Sequence, residues 1–248
     1  MQNRIDNLVK WIRTQVPEGG KAIIGISGGK DSTIAAALCV EALGAENVVG
    51  VCMPQYRQDD IRDSYRVCEY LNIHRMEINI GPICEELCYK IDVEYDYDHK
   101  CANNPMIKTN LPARIRMTTL YAVAALYPNS RVVNTCNRSE DFVGYSTKYG
   151  DAAGDFSPLG GFTVREVLAI GDALGLPYDL VHKAPSDGMC GKTDEDNLGF
   201  TYDELDGFLL GESGLSPETM NKVAKLHKST RHKYTPMPIY DPYERKNL

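Results

Sequence analysis

The sequence has no excess of positive charge. Across 248 residues, 27 Lys and Arg stand against 34 Asp and Glu, a formal net charge of −7. A protein whose main partner is a nucleic-acid backbone presents a broad cationic face, and this composition does not supply one. No apolar run approaches the roughly 20 residues that cross a bilayer. The opening stretch, MQNRIDNLVKWIRTQVPEGG, lacks the apolar core and small-residue cleavage site of a secretory signal. Its Ile5, Leu8, Val9 and Ile12 share one stripe and predict an amphipathic helix. With no span and no export signal, no membrane partner and a cytoplasmic location are expected. Also missing is any CxxC pair among Cys39, Cys52, Cys68, Cys84, Cys88, Cys101, Cys136 and Cys190. Cys84 and Cys88 are spaced for one helix face, with no His nearby at zinc-finger spacing, and His74, His99 and His182 form no cluster. Reduced, buried thiols are therefore expected. No internal repeat, low-complexity tract or linker divides the chain, and a single domain spanning 1–248 is expected.

What is present is an alternation of strand and helix signals. Residues 21–26 form an apolar run entering a glycine cluster, and 32–43 follow with helical periodicity and a Gly44 stop. Residues 47–53 read as a second strand ended by Pro54, 61–71 as a helix, 75–80 as a strand, and 111–127 as a long helix with Pro112 in its first turn. A further strand is predicted at 131–134. Strands separated by helices imply parallel crossover units, so the predicted fold is α/β, a doubly wound, mostly parallel sheet flanked by helices. Beyond it, 135–161 is rich in Gly, Ser, Asp and Tyr and too long for a simple connection, which marks it as functional or flexible. Helices are predicted again at 163–174, 201–210 and 216–228, with a polar loop at 185–199. The alternating Tyr95 and Tyr97 with Asp92, Glu94, Asp96 and Asp98 read as a solvated loop or edge.

The strongest local signal is Gly25, Ile26, Ser27, Gly28, Gly29, Lys30, Asp31 and Ser32, between the first strand and its helix. Small residues there permit a tight turn with backbone N–H groups in a concavity, and the following helix N-terminus favours an anionic phosphate. Lys30 can supply a full charge, Ser27 and Ser32 hydroxyl donors, and Asp31 a magnesium ligand. The dinucleotide fingerprint GxGxxG is absent, and the kinase and GTPase loop GxxxxGK[ST] does not fit. Gly25 and Gly29 are one residue too close, and Asp31 stands where the metal-binding hydroxyl belongs.

This SGGKDS loop resembles the pyrophosphate loop of the ATP pyrophosphatases, which cleave ATP to AMP and pyrophosphate. The loop alone leaves the acceptor open. The region 132–159, VVNTCNRSEDFVGYSTKYGDAAGDFSPL, resembles the NAD synthetases, in which a strand ends in Gly-Thr, a Glu follows five residues later and Thr-Lys-Tyr-Gly-Asp comes next. The segment NLPARIRM at 110–117 is similar to that family's Asn-x-x-Ala-Arg-x-Arg-Met. KAPS at 183–186, TDED at 193–196, GFTY at 199–202 and His232-Lys233 match its later motifs in order.

The resemblance implies an adenine nucleotide α-hydrolase-like fold and ammonia-dependent amidation of deamido-NAD to NAD through an acyl-adenylate. It implies ATP contacts from the loop, Thr135 and Ser186, and Mg²⁺ held by Asp31 and Glu140. Arg114, Lys148, Asp155, His232 and Lys233 would hold deamido-NAD, and Asp155 also suits an incoming ammonium. A homodimer is implied as well. The short stretch before residue 21 has no room for the nitrilase-type amidase domain of glutamine-dependent relatives, so ammonia is the expected nitrogen source. Glu140 has a plainer reading as the cap of a following helix. Two departures stand out: Ala152-Ala153 replaces Gly-Gly, and Val164 replaces an ATP-contacting lysine, with Arg165 one place along as a conceivable substitute. The alternatives are another ATP pyrophosphatase that amidates or thiolates a different acceptor, with Cys136 or Cys190 as the thiol, or a degenerate nucleotide-binding regulator.

Overall fold

Ile23 and Ile24 are neighbours in sequence and both fully buried, yet they belong to different cores. Successive side chains of a strand point to opposite faces, so a strand buried at both residues must be covered on both sides. The computed structural model describes residues 1–58, 60–94, 100–182, 194–212, 214–240 and 242. After helix α1 (Gln2–Gln15), β1 (Ala22–Gly25) leads through the glycine turn into α2 (Lys30–Leu43). Then come β2 (Val48–Cys52), α3 (Ile61–Tyr70), β3 (His74–Glu77), α4 (Gly81–Glu94), α5 (Lys100–Asn103), α6 (Pro105–Ala124) and β4 (Arg131–Val132). The rest is helical: α7 (Arg138–Val143), α8 (Val164–Ala173), α9 (Tyr178–Val181), α10 (Asp194–Leu198), α11 (Tyr202–Leu209) and α12 (Pro217–Thr230), with a 3₁₀ turn at Arg231–Lys233.

The sheet is parallel, in the order β3-β2-β1-β4. Ile24, Val48 and Cys52 face a layer built by α1, α2, α3, α8 and α9, while Ile23, Val49 and Val51 face α4 and α6. A third apolar cluster joins Val143 of α7 to Tyr202 and Leu205 of α11 and Val223 of α12. The chain winds outward from β1 through β2 to β3, then returns to place β4 on the other side of β1. The order therefore reverses between β1 and β4, and in open α/β sheets the crevice at such a reversal is where ligands bind.

The four predicted strands and their helices are present, with differences at the ends. The long helix starts at Pro105 rather than Leu111, because Asn104 caps it by accepting from Met106 N (2.9 Å) and Ile107 N (3.4 Å), and Pro105 fits the first turn. Pro112 consequently lies inside the helix, buried, rather than at its start. Helices α4 and α7 did not stand out in the sequence. Asp92 and Glu94, read as part of a solvated loop or edge, instead lie in the last turn of α4, and Asp92 is buried because its Oδ1 accepts from Cys101 N at 2.8 Å. The tyrosine-rich stretch at 95–99 lies outside the described residues.

Candidate active site

The carboxyl ends of β1 and β4 open side by side, each into a loop followed by a helix. After β1, Ser27 Oγ accepts from Gly29 N (3.2 Å) and meets Ser32 Oγ at 3.1 Å; Ser32 Oγ also donates to Gly29 O (3.1 Å). The two serines thus brace the turn from inside. Gly28 is left-handed (φ +79°), and a Cβ there would stand 2.7 Å from Asp63 Cβ and 2.9 Å from Ser64 N. Glycine is required for both reasons, backbone hand and the approach of α3. Gly29 is the extended N-cap of α2, a 14-residue helix whose amino end faces the turn.

After β4, the chain makes one isolated bridge, Val133 to Phe156, and turns at Asn134 into α7. A six-residue helix has little stability of its own. It is fixed by a capping box: Asn137 Oδ1 accepts from Ser139 N and Glu140 N, both at 3.1 Å, and Asn137 N donates to Glu140 Oε2 at 3.4 Å. The fully buried Asn137 also reaches across to the first loop, its Nδ2 donating to Asp31 Oδ1 at 3.0 Å. Asp31 Oδ2 accepts from Lys30 Nζ at 2.7 Å. Asp31 and Glu140, 109 residues apart in sequence, are thereby joined through one asparagine. Glu140 does cap the following helix, as its plainer reading held, and it does so at the mouth of the crevice.

The third wall is the 147–151 loop under the first half of α6. Arg114 Nε donates to Lys148 O (3.2 Å), Thr147 Oγ1 to Asn110 Oδ1 (3.0 Å), and Lys148 Nζ lies 5.1 Å from the Tyr149 ring centre. The predicted pair Arg114 and Lys148 is therefore together. Tyr149 is left-handed (φ 62°), whereas Ala152 and Ala153 are not among the positive-φ residues, so the methyls that replace glycine cost no backbone strain. Ala153 packs on the α4–α6 side of the sheet.

Other predicted residues have duties within the protein. Asp155 Oδ2 accepts from Val132 N (2.7 Å) and Oδ1 from Tyr121 OH (3.2 Å), so the carboxylate covers the outer edge of β4. Lys233 Nζ donates to Gly144 O (2.7 Å) and Ser146 O (2.6 Å), and burial lowers its pKa despite the opposing pull of Asp151. His232 is exposed and holds Ser229 O through Nδ1 at 3.0 Å. Thr135 is half-buried at the end of β4. Ser186 and Cys190 lie outside the described residues. Val164 is part of the apolar cluster of α7, α11 and α12. Arg165 does not replace the missing lysine: its Nε and Nη1 are each 2.6 Å from a carboxylate, Asp203 and Glu212. Cys136 is buried, which pushes its thiol pKa well up, away from nucleophilic use.

Arg116 lies within the 110–117 segment and carries no expected site role. It is half-buried at the end of β2, its Nε donating to Met53 O at 3.2 Å.

The model of the family described as NAD synthase matches residues 4–237. The chain belongs to this family. The NH(3)-dependent NAD(+) synthetase of Pyrococcus furiosus is 37% identical over 246 residues, covering 92% of this chain and 90% of that protein. The one from Methanococcoides burtonii is 38% identical over 247 residues, covering 93% and 91%. Among solved structures, NMN synthetase from Francisella tularensis superposes with a TM-score of 0.85 at 33% identity, covering 98% of both chains. NH3-dependent NAD synthetase from Campylobacter jejuni gives 0.75 at 28% identity, covering 97% of this chain and 99% of that one.

Proposed function

We propose that this member of the NAD synthase family uses ATP and ammonia to convert deamido-NAD to NAD. The observation that carries this reading is the hydrogen bond at the β1/β4 reversal by which Asn137, the cap of the helix that carries Glu140, holds Asp31 of the pyrophosphate-type loop. The nicotinate carboxylate attacks the α-phosphorus of ATP, forming the acyl-adenylate and expelling pyrophosphate; ammonia then attacks the acyl carbon and AMP leaves. Gly25, Ile26, Ser27, Gly28, Gly29, Lys30, Asp31 and Ser32, with Thr135 and Ser186, take ATP. The α2 amino end and Lys30 supply positive potential where the leaving pyrophosphate gathers charge. Arg114 and Lys148, on the opposite wall, receive the acceptor. Asp155, His232 and Lys233 complete that wall, and the internal hydrogen bonds of Asp155 and Lys233 make them positioning residues as much as contacts.

Asp31 and Glu140 fit Mg²⁺: hard oxygen donors, two rather than a full cage, leaving room for phosphate oxygens and water. When bound, the ion neutralises triphosphate charge. The chain is proposed to act as a homodimer, from family resemblance. It is proposed to be cytoplasmic; among the described residues no helix is long and apolar enough to cross a membrane.

A second reading is favoured by the overlap with an NMN synthetase: the acceptor is the corresponding mononucleotide acid, with the same chemistry at the ring carboxylate. One assay tests both. Purified protein with ATP, Mg²⁺ and ammonium is given deamido-NAD or the mononucleotide acid, and AMP, pyrophosphate and amide product are quantified. Stoichiometric AMP and NAD from deamido-NAD is the expected outcome; a much higher kcat/KM for the mononucleotide selects the second reading. ADP formation, or no turnover of either acid, overturns both.

A further inference from the structure

Arg116 is a cation in search of a counter-charge. Its Nε bond to Met53 O is, among the described residues, its single hydrogen bond, and it belongs to none of the ion pairs. Neither Nη nitrogen is among the sealed, unpartnered polar atoms, so both still touch solvent. Burial pulls its pKa down, only partly offset by the fields of Cys84 and Asp151. A guanidinium does not surrender its proton in a protein, so the charge stays and its desolvation goes uncompensated unless an anion arrives.

Its place in the fold says which anion. Lys30 opens α2, whose core side chains all lie on one face of the sheet. Arg116 is on α6, on the other face, two residues from Arg114, between the end of β2 and the 147–151 loop. Asp151, whose field it feels, has its carbonyl held by Asn134 Nδ2 (2.8 Å) at the end of β4. Arg116 therefore looks into the crevice from the acceptor's wall.

We propose that Arg116 is a further substrate-binding residue, its guanidinium pairing with an anionic group of the acceptor. The inference rests on the function proposed above. Two groups of a deamidated pyridine nucleotide carry that chemistry: the reacting carboxylate and the phosphates. Only the first disappears in the reaction, since the amide product is neutral. An arginine on the carboxylate would hold the acid more tightly than the amide and let product go.

The test is equilibrium binding by calorimetry, without ATP, of deamido-NAD and NAD to the wild type, Arg116→Gln and Arg116→Lys, with thermal unfolding of each. The two ligands share their phosphates and differ only at the ring carboxyl. Arg116→Gln is expected to weaken deamido-NAD by tenfold or more with the KM for ATP unchanged, and Arg116→Lys to recover part of the loss. If NAD affinity is spared, the pairing is with the carboxylate; if both ligands weaken equally, it is with a phosphate. Unchanged affinity for both ligands, or a loss confined to ATP, overturns the proposal. Should Arg116→Gln fail to fold, Arg116→Lys alone decides, with a several-fold loss expected because a lysine cannot reproduce the planar fork. Failure of the wild type to turn over deamido-NAD or the mononucleotide acid counts against the proposed function instead, and is read separately.

Discussion

Asn137 ties Asp31 to α7: its side-chain amide donates to Asp31 Oδ1 at 3.0 Å while its carbonyl oxygen caps the helix that carries Glu140. Cap and bridge can be separated by substitution. Asn137→Ser keeps a capping oxygen but loses the amide donor, whereas Asn137→Ala loses both. Both variants should raise the Mg²⁺ concentration for half-maximal rate by about 10–100-fold, the usual cost of removing a group that orients a metal ligand. Only Asn137→Ala should also lose about 1 kcal/mol of stability. Rates across a Mg²⁺ titration and urea melts give the two numbers, and an unchanged Mg²⁺ dependence in both variants would remove Asn137 from the metal's surroundings.

Gly28→Ala tests the turn. The new methyl would meet Asp63 Cβ at 2.7 Å from a left-handed backbone, so the loop must shift away from α3. Expected are a loss of roughly 1–3 kcal/mol in stability and a larger rise in KM for ATP than for the acceptor. Melts and initial rates check both, and an ordinary KM for ATP would mean that the turn tolerates another shape.

Val164→Lys installs the lysine that the family resemblance implies at this position, and the structure predicts harm. Val164 is half-buried and packs against the α7–α11–α12 cluster, so a lysine must give up that apolar packing to carry its ammonium to solvent. A drop of several degrees in Tm with no gain in ATP affinity is expected. A lower KM for ATP at unchanged Tm would show instead that the side chain reaches the crevice.

Asp141 gives a pH signature. One carboxyl oxygen is sealed without a partner, and burial pushes the pKa up to about 6 against a hydrogen bond from Tyr234 that lowers it. Because the folded-state value is raised, the folded protein holds a proton that the unfolded chain has released between about pH 4 and 6. Stability therefore falls as pH rises through that window, and the penalty is complete above it. Asp141→Asn, which can still accept from Tyr234, should flatten this slope and stabilise the protein at pH 7.5 by on the order of 1 kcal/mol, the partial exposure reducing the effect. Urea melts from pH 4.5 to 8 are the measurement, and parallel curves for the two proteins would refute it.

The parts legible in sequence were those governed by local pattern. Apolar runs marked β1, β2 and β4, alternation marked β3, whose residues are mostly exposed, and the glycine turn announced itself because its residues are contiguous. Helix α7 escaped because six residues show no periodicity, and its existence depends on Asn137 and Glu140 capping each other. Arg165 looked like a spare cation for ATP until Asp203 and Glu212, nearly 40 and 50 residues on, claimed it. Gly28 read as part of a tight phosphate-facing turn, while its contact with Asp63 and Ser64 needs a fold to exist. Arg116 was within view, but its isolation is a property of its surroundings.

The outer side of β4 has a consequence beyond the site. Phe156 O accepts from Asn134 N, Val132 O accepts from Asp155 N, and the Asp155 carboxylate takes the remaining Val132 N–H. The groups through which a foreign strand would zip onto this margin are already spent, so no further strand can extend the sheet there. The same chain segment that closes this margin also carries the 147–151 loop, so any slippage of the closure would be felt at once in the wall proposed to receive the acceptor.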